Sequence, residues 1–112
     1  MGTWDKTPYG NDSASDWFAG LMDATGLRQH WVDTLRDLDV DDDPERARAA
    51  VWLFRQLGRV YVWPIADYAG DLELALSVAE QLKDNDELLE MDGMAETLEA
   101  EHAELLARKN PG

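Results

Sequence analysis

The tripeptide Asp43-Pro44-Glu45 commits the middle of this chain to helix. An aspartate at the cap accepts from amides that have no partner in the first turn. Proline tolerates the first helical position because its missing N–H would be unpaired there anyway, and the glutamate faces the positive end of the helix dipole. Beyond that start Ala47, Ala50, Val51, Phe54, Leu57 and Tyr61 recur on one face, and Trp52 and Leu53 widen it. A helix this apolar needs cover on several sides, so it is expected at the centre of the domain. Gly58 and the run Arg59-Val60-Tyr61-Val62-Trp63 weaken helix propensity, and Pro64 stops it. Residues 59–64 read equally as the end of a helix or as a short β segment.

Other helices announce themselves on either side. Ser13-Ala14-Ser15-Asp16 fits a capping box that opens a helix with Trp17, Phe18, Leu21 and Met22 on one face. Thr25-Gly26 interrupts it. A second helix, about 27–38, carries Leu27, Trp31, Leu35 and Leu38 as an amphipathic stripe. Gly70-Asp71 is expected to start a fourth, with Leu72, Ala75, Leu76 and Ala79 inward. Asp84-Asn85-Asp86 caps a short fifth helix holding Leu88, Leu89 and Met91. Asp92-Gly93 then sets off a last helix from Met94 to Lys109, with Met94, Leu98, Leu105 and Leu106 inward and Asn110-Pro111-Gly112 as its stop. Residues 1–12 lack a helical period and read as an ordered extended arm pinned by Trp4 and Tyr9. The expected fold class is all-α: residues 1–112 form one compact bundle of five or six helices with an extended N-terminal arm.

The chain is strongly acidic, with 24 acids, 10 bases and a net charge of −14 over 112 residues. Such a charge repels nucleic acid and anionic lipid, so no direct nucleic-acid or membrane binding is expected. The absence of cysteine removes disulfides, thiolate catalysis and cysteine–zinc sites, and suits a reducing cytoplasm. No apolar run approaches ~18 residues, and the first ten residues lack the basic and apolar regions of a signal peptide.

Sites of chemistry fail one by one. Asp39, Asp41 and Asp43 alternate as at the opening of a calcium loop, but Pro44 stands where glycine is needed and Ala50 where a bidentate glutamate is needed. Glu99 and His102 sit one helical turn apart, as in di-iron bundles. The only other histidine, His30, is preceded at that spacing by Leu27, so the ligand set is incomplete. Neither a poised serine–histidine pair nor a glycine-rich phosphate loop is present in the sequence. The expectation is a protein that is not an enzyme and takes no metal or cofactor.

Met1-Gly2-Thr3-Trp4, then Pro8-Tyr9, then Asn11-Asp12-x-Ala14-x-Asp16-Trp17 resembles the opening of a small bacterial family, domain of unknown function 4259. An alanine-rich helix over Ala47–Leu57 and an amphipathic one near Leu72–Leu82 extend the likeness loosely. The resemblance implies a single helical domain in the bacterial cytoplasm and brings no established catalytic residues with it.

The acid is unevenly spread. Residues 1–59 hold eleven acids and seven bases, whereas residues 60–112 hold thirteen acids and three bases. Small domains ordinarily stay within roughly 2–8 charges of neutral, and excess like charge destabilises the compact state. We therefore expect an acidic binding or inhibitory protein, of the immunity-protein or antitoxin type, that neutralises a basic partner protein. The charged candidates are Asp84, Asp86, Glu87, Glu90, Asp92, Glu96, Glu99 and Glu101. Trp63, Tyr61 and Tyr68 are the candidate aromatic anchors; of the five tryptophans Trp63 is the most open to exposure, although a core place is the favoured reading for it. The alternatives are a nucleic-acid mimic, or a structural or oligomeric domain whose acidic surface is a salt adaptation.

Overall fold

The computed structural model describes Pro8, Tyr9 and residues 11–109. The extended arm as a whole, the packing of Trp4 and the Asn110-Pro111-Gly112 stop fall outside the described residues; Tyr9 packs against the core. Six α-helices and no strand occur among the described residues: α1 Asp12–Thr25, α2 Leu27–Asp37, α3 Pro44–Leu57, α4 Ile65–Lys83, α5 Asp86–Leu89 and α6 Met94–Lys109. The all-α bundle expected from the sequence is the fold. No described helix is long and apolar enough to cross a membrane.

Helix ends are set by short-range hydrogen bonds. Asp43 caps α3 as its sequence dictates, with Oδ1 accepting the Arg46 N–H at 3.1 Å. At α1 the cap is Asn11 rather than Ser13: its extended backbone aims Oδ1 at the Ala14 N–H, 2.8 Å away, so the helix starts earlier than the capping box suggested. Gly26, at φ +62°, ends α1 and begins α2 in one residue, a left-handed conformation that glycine adopts without steric cost. The open question over residues 59–64 resolves to neither helix nor strand. They form a tight turn in which Arg59 O accepts from the Val62 and Trp63 amides at 3.0 and 2.9 Å, with Tyr61 at φ +80°. Gly58 is needed before it because a Cβ there would lie 2.6 Å from the Phe54 ring.

That turn brings the chain straight into α4, which begins at Ile65, directly after Pro64, instead of at Gly70-Asp71. α4, not α3, is the hub of the bundle, packing against α2, α3 and α6. Seven of its residues are buried, and they alternate small and large, from Leu72 and Leu76 to Ala75 and Ala79, so neighbouring helices approach closely from more than one side. α3 lays Ala47, Val51 and Phe54 into the same core. There Phe54 stacks on Trp31 (centroids 5.1 Å apart) and meets Trp63 edge-on at 5.0 Å. Trp31 anchors α2 to α3 by donating its indole N–H to Ala50 O at 2.9 Å.

Three apolar residues expected inside lie outside. Trp17 is 62% exposed with Phe18 edge-on beside it, while Trp52 and Leu106 also face solvent. Trp52 and Leu106 each follow a buried residue, Val51 and Leu105, and so point about 100° away from the covered stripe.

Candidate partner-binding surface

The three aromatic candidates separate on inspection. Trp63 is 2% exposed and belongs to the core, the place favoured for it, which removes it from the candidate anchors. Its indole N–H donates to Asp71 Oδ2 at 2.8 Å, and Arg28 grips the same carboxylate with two bonds of 2.7 and 2.8 Å. Asp71 is buried one and a half turns inside α4, so it is a fastener between α2, α4 and the turn rather than a helix cap. Its hydrogen bonds raise the Arg28 pKa above the ordinary arginine value, against the opposing pull of burial. Tyr68 stacks on Phe54 at 6.1 Å and is only partly accessible. Tyr61 is half exposed at the tip of the turn.

The acids also fall into two groups. Glutamates of the second half of α6 are tied to α3: Arg48 holds Glu101 through two nitrogens at 3.2 and 2.6 Å, and Arg55 pairs with Glu104. Glu101 is therefore committed within the fold, contrary to its expected role as a free charge; the paired carboxylate in turn raises the Arg48 pKa. Glu99 lies 3.4 Å from Lys83, which also contacts Glu80. By contrast, Asp84, Asp86, Glu87, Glu90, Asp92 and Glu96 are all exposed and make no ion pair among the described residues. They fill the connection from the end of α4 to the first turn of α6, a stretch of thirteen residues with six acids and no base.

A second acidic segment joins them. Asn85, 4% exposed, caps α5 by accepting the Leu88 N–H at 2.9 Å, and its Nδ2 donates to Asp41 Oδ1 at 3.2 Å. The cap that the sequence assigned jointly to Asp84, Asn85 and Asp86 is thus the work of Asn85 alone. Val40, buried at 6%, plants the α2–α3 link beside it. Asp39, Asp41 and Asp42 consequently add their charge to the same end of the molecule as residues 84–92.

Next to this acidic pole runs a groove of about 460 Å³ between α3 and the α5–α6 connection. Its floor is Leu88 and Met94, both buried, and its walls are Trp52 and Met91, 56% and 63% exposed. Sequence reading missed both wall residues. Glu45, Arg48, Ala49, Trp52 and Arg55 form a second, mixed stripe on α3, and a tryptophan within a charged stripe was the available signal. Another groove, about 560 Å³, lies where α1 and α2 meet the 61–65 turn, with Ile65 69% exposed on its edge. No metal-ligating trio of His, Cys, Asp or Glu converges among the described residues.

No family model matches the chain, and neither the curated proteins nor the solved structures compared with it contain a match.

Proposed function

We propose that this protein is an acidic binding protein that captures a basic protein partner, in the manner of an immunity protein or antitoxin. The observation that carries this reading is the pole of six exposed, unpaired acids at positions 84–96, reinforced by Asp39, Asp41 and Asp42. Unpaired like charges held together cost stability, and the fold already knows how to pair glutamates, as Glu101 and Glu104 demonstrate. Acids left free beside exposed Trp52 and Met91 suit a protein surface, where apolar anchors supply affinity and charge supplies speed. A nucleic-acid mimic would instead need carboxylates spaced along a polar ridge. Unpaired acids also dot α1, as at Asp16 and Asp23, and these suffice as ordinary solvation.

The test is a capture experiment from the source organism at low and at ~1 M salt. It compares the native chain with a variant in which Glu87, Glu90 and Asp92 become Gln, Gln and Asn. The identified partner is then assayed for inhibition by the purified chain. We expect a basic protein whose association slows by 10–10³ as salt rises and whose activity falls on binding. A partner that associates equally fast at high salt, or that binds the variant unchanged, overturns the reading.

A further inference from the structure

We infer that the groove between α3 and the α5–α6 connection receives an amphipathic basic helix of the partner. This inference rests on the functional reading above and assigns the seat of binding. From Glu45 to Arg55 the α3 wall spans eleven residues, about 15 Å at the helical rise, which matches nearly three turns of an incoming helix. Such a helix docks through apolar residues at i, i+3, i+4 and i+7. Here they meet Trp52 and Met91 on the walls and Leu88 and Met94 on the floor. Methionine side chains adapt to varied apolar shapes, and two of the four are methionine.

Charge decides the occupant. Arg48 and Arg55, which line the groove, are held by Glu101 and Glu104, so they present little free positive charge to an incoming cation. Glu45 lines the groove with them, and Glu87, Glu90 and Asp92 are the chain neighbours of its lining residues Leu88 and Met91; all four acids are exposed and unpaired among the described residues. A second copy of this chain would bring another −14 against the first. An apolar stripe flanked by lysines or arginines meets both the walls and the rim.

The probe is an 18-residue synthetic peptide with leucines at helical i, i+3, i+4, i+7 spacing and lysines elsewhere. Its control has the same composition, shuffled so that the leucines spread around the helix. Binding to the full chain is followed by fluorescence anisotropy of the labelled peptide, and thermal melts check that each variant is folded. We expect the amphipathic peptide to bind at least about tenfold more tightly than its shuffled control, and Trp52→Ala or Met91→Ala to remove most of that advantage. Absence of preferential binding overturns the inference. So does a Trp52→Ala variant that binds normally. If that variant binds normally while neutralising Glu87, Glu90 and Asp92 abolishes binding, the groove assignment fails and the acidic reading stands. If neutralising the acids changes nothing, the acidic reading fails with it. Self-association in sedimentation that Trp52→Ala dissolves would make a second copy the occupant and equally overturn it.

Discussion

Asn85 donates to the carboxylate of Asp41, 44 residues earlier in the chain, at 3.2 Å, while its carbonyl oxygen caps α5 through the Leu88 amide. One buried side chain thus holds together the two acidic segments that electrostatics would push apart. Replacing Asn85 with Ala removes both bonds. A lost cap costs ~1 kcal/mol, and a lost hydrogen bond to a carboxylate ~1.5 kcal/mol or more. Denaturant unfolding of Asn85→Ala is therefore expected to show a loss of about 2–3 kcal/mol. Asn85→Ser keeps a capping oxygen but is too short to reach Asp41, and should lose roughly half as much. Equal losses in the two variants would refute the double role.

The Arg28–Asp71–Trp63 fastener makes a sharper demand. Asp71→Ala strands the Trp63 N–H inside the core and leaves Arg28, a quarter exposed at its side chain, without its main partner. Removing one member of a buried pair costs about 3–5 kcal/mol, and the partial exposure of Arg28 places the expected loss near 3 kcal/mol. Asp71→Asn retains an acceptor for the indole and should recover part of it. Arg28→Leu combined with Asp71→Leu should be milder than Asp71→Ala alone, because no charge is left unpaired. Chemical denaturation of the three variants orders them directly.

Arg108, at the end of α6, donates to the carbonyl oxygens of Phe54, Arg55 and Gly58 at 3.3, 2.6 and 3.2 Å. They lie where α3 ends and leaves carbonyls short of helical donors; Phe54 O also accepts the Gly58 amide. Burial and the neighbouring Arg59 both pull the Arg108 pKa below the usual arginine value, so the contact is maintained against a desolvation cost. We expect Arg108→Ala to lower stability by about 2 kcal/mol. Arg108→Lys should restore only part of it, since an ammonium lacks the planar fork that spans several carbonyls. Amide hydrogen exchange in residues 54–59 should rise in both variants.

Lys83 supplies a pH signature. Burial, the largest single influence, pushes its pKa down, but hydrogen bonds to Glu80 and Glu99 together outweigh it and raise the group above its ordinary value. A cation with a raised folded pKa stabilises fully below the unfolded value, about 10.4, and that contribution disappears as pH climbs through the folded value. Melting curves from pH ~9 to ~12 should therefore show native protein and Lys83→Met converging as the solution becomes alkaline. Parallel curves would mean the lysine contacts contribute nothing.

Where the sequence spoke clearly, signals were local and redundant. Asp43-Pro44-Glu45 stacks three start signals at consecutive positions, and α3 begins there. Gly70-Asp71 resembled a helix start for a similar local reason, yet Asp71 is buried because Arg28 and Trp63 reach it from elsewhere, and Arg28 is 43 residues away. Trp63 loses its candidacy as an anchor, and Trp52 its expected place inside, on geometric grounds. A turn with Tyr61 at φ +80° folds Trp63 back under the bundle, whereas Trp52 lies a helical step outside the stripe that the other helices cover. The acidic excess was plain in the composition. Its division into paired and unpaired groups depends on which glutamates of α6 face Arg48 and Arg55 of α3, a contact across about 50 residues that no local pattern encodes.

That division predicts opposite consequences for carboxylates within one chain. Neutralising Glu87, Glu90 and Asp92 together removes mutual repulsion among exposed, unpaired groups. Stability at low salt should rise by about 1 kcal/mol, and the gain should fade toward ~1 M salt, where screening already does the same. Glu101→Gln removes the negative charge and one of the two oxygens gripped by Arg48, the group Arg55 also approaches at 3.8 Å, so it should lower stability by about 1–2 kcal/mol with a weak salt dependence. Urea melts of both variants across a salt series test this pair of signs. If the triple variant were less stable than native protein, the 84–92 acids would have structural partners of their own, and the case for keeping them free for a basic partner would fall.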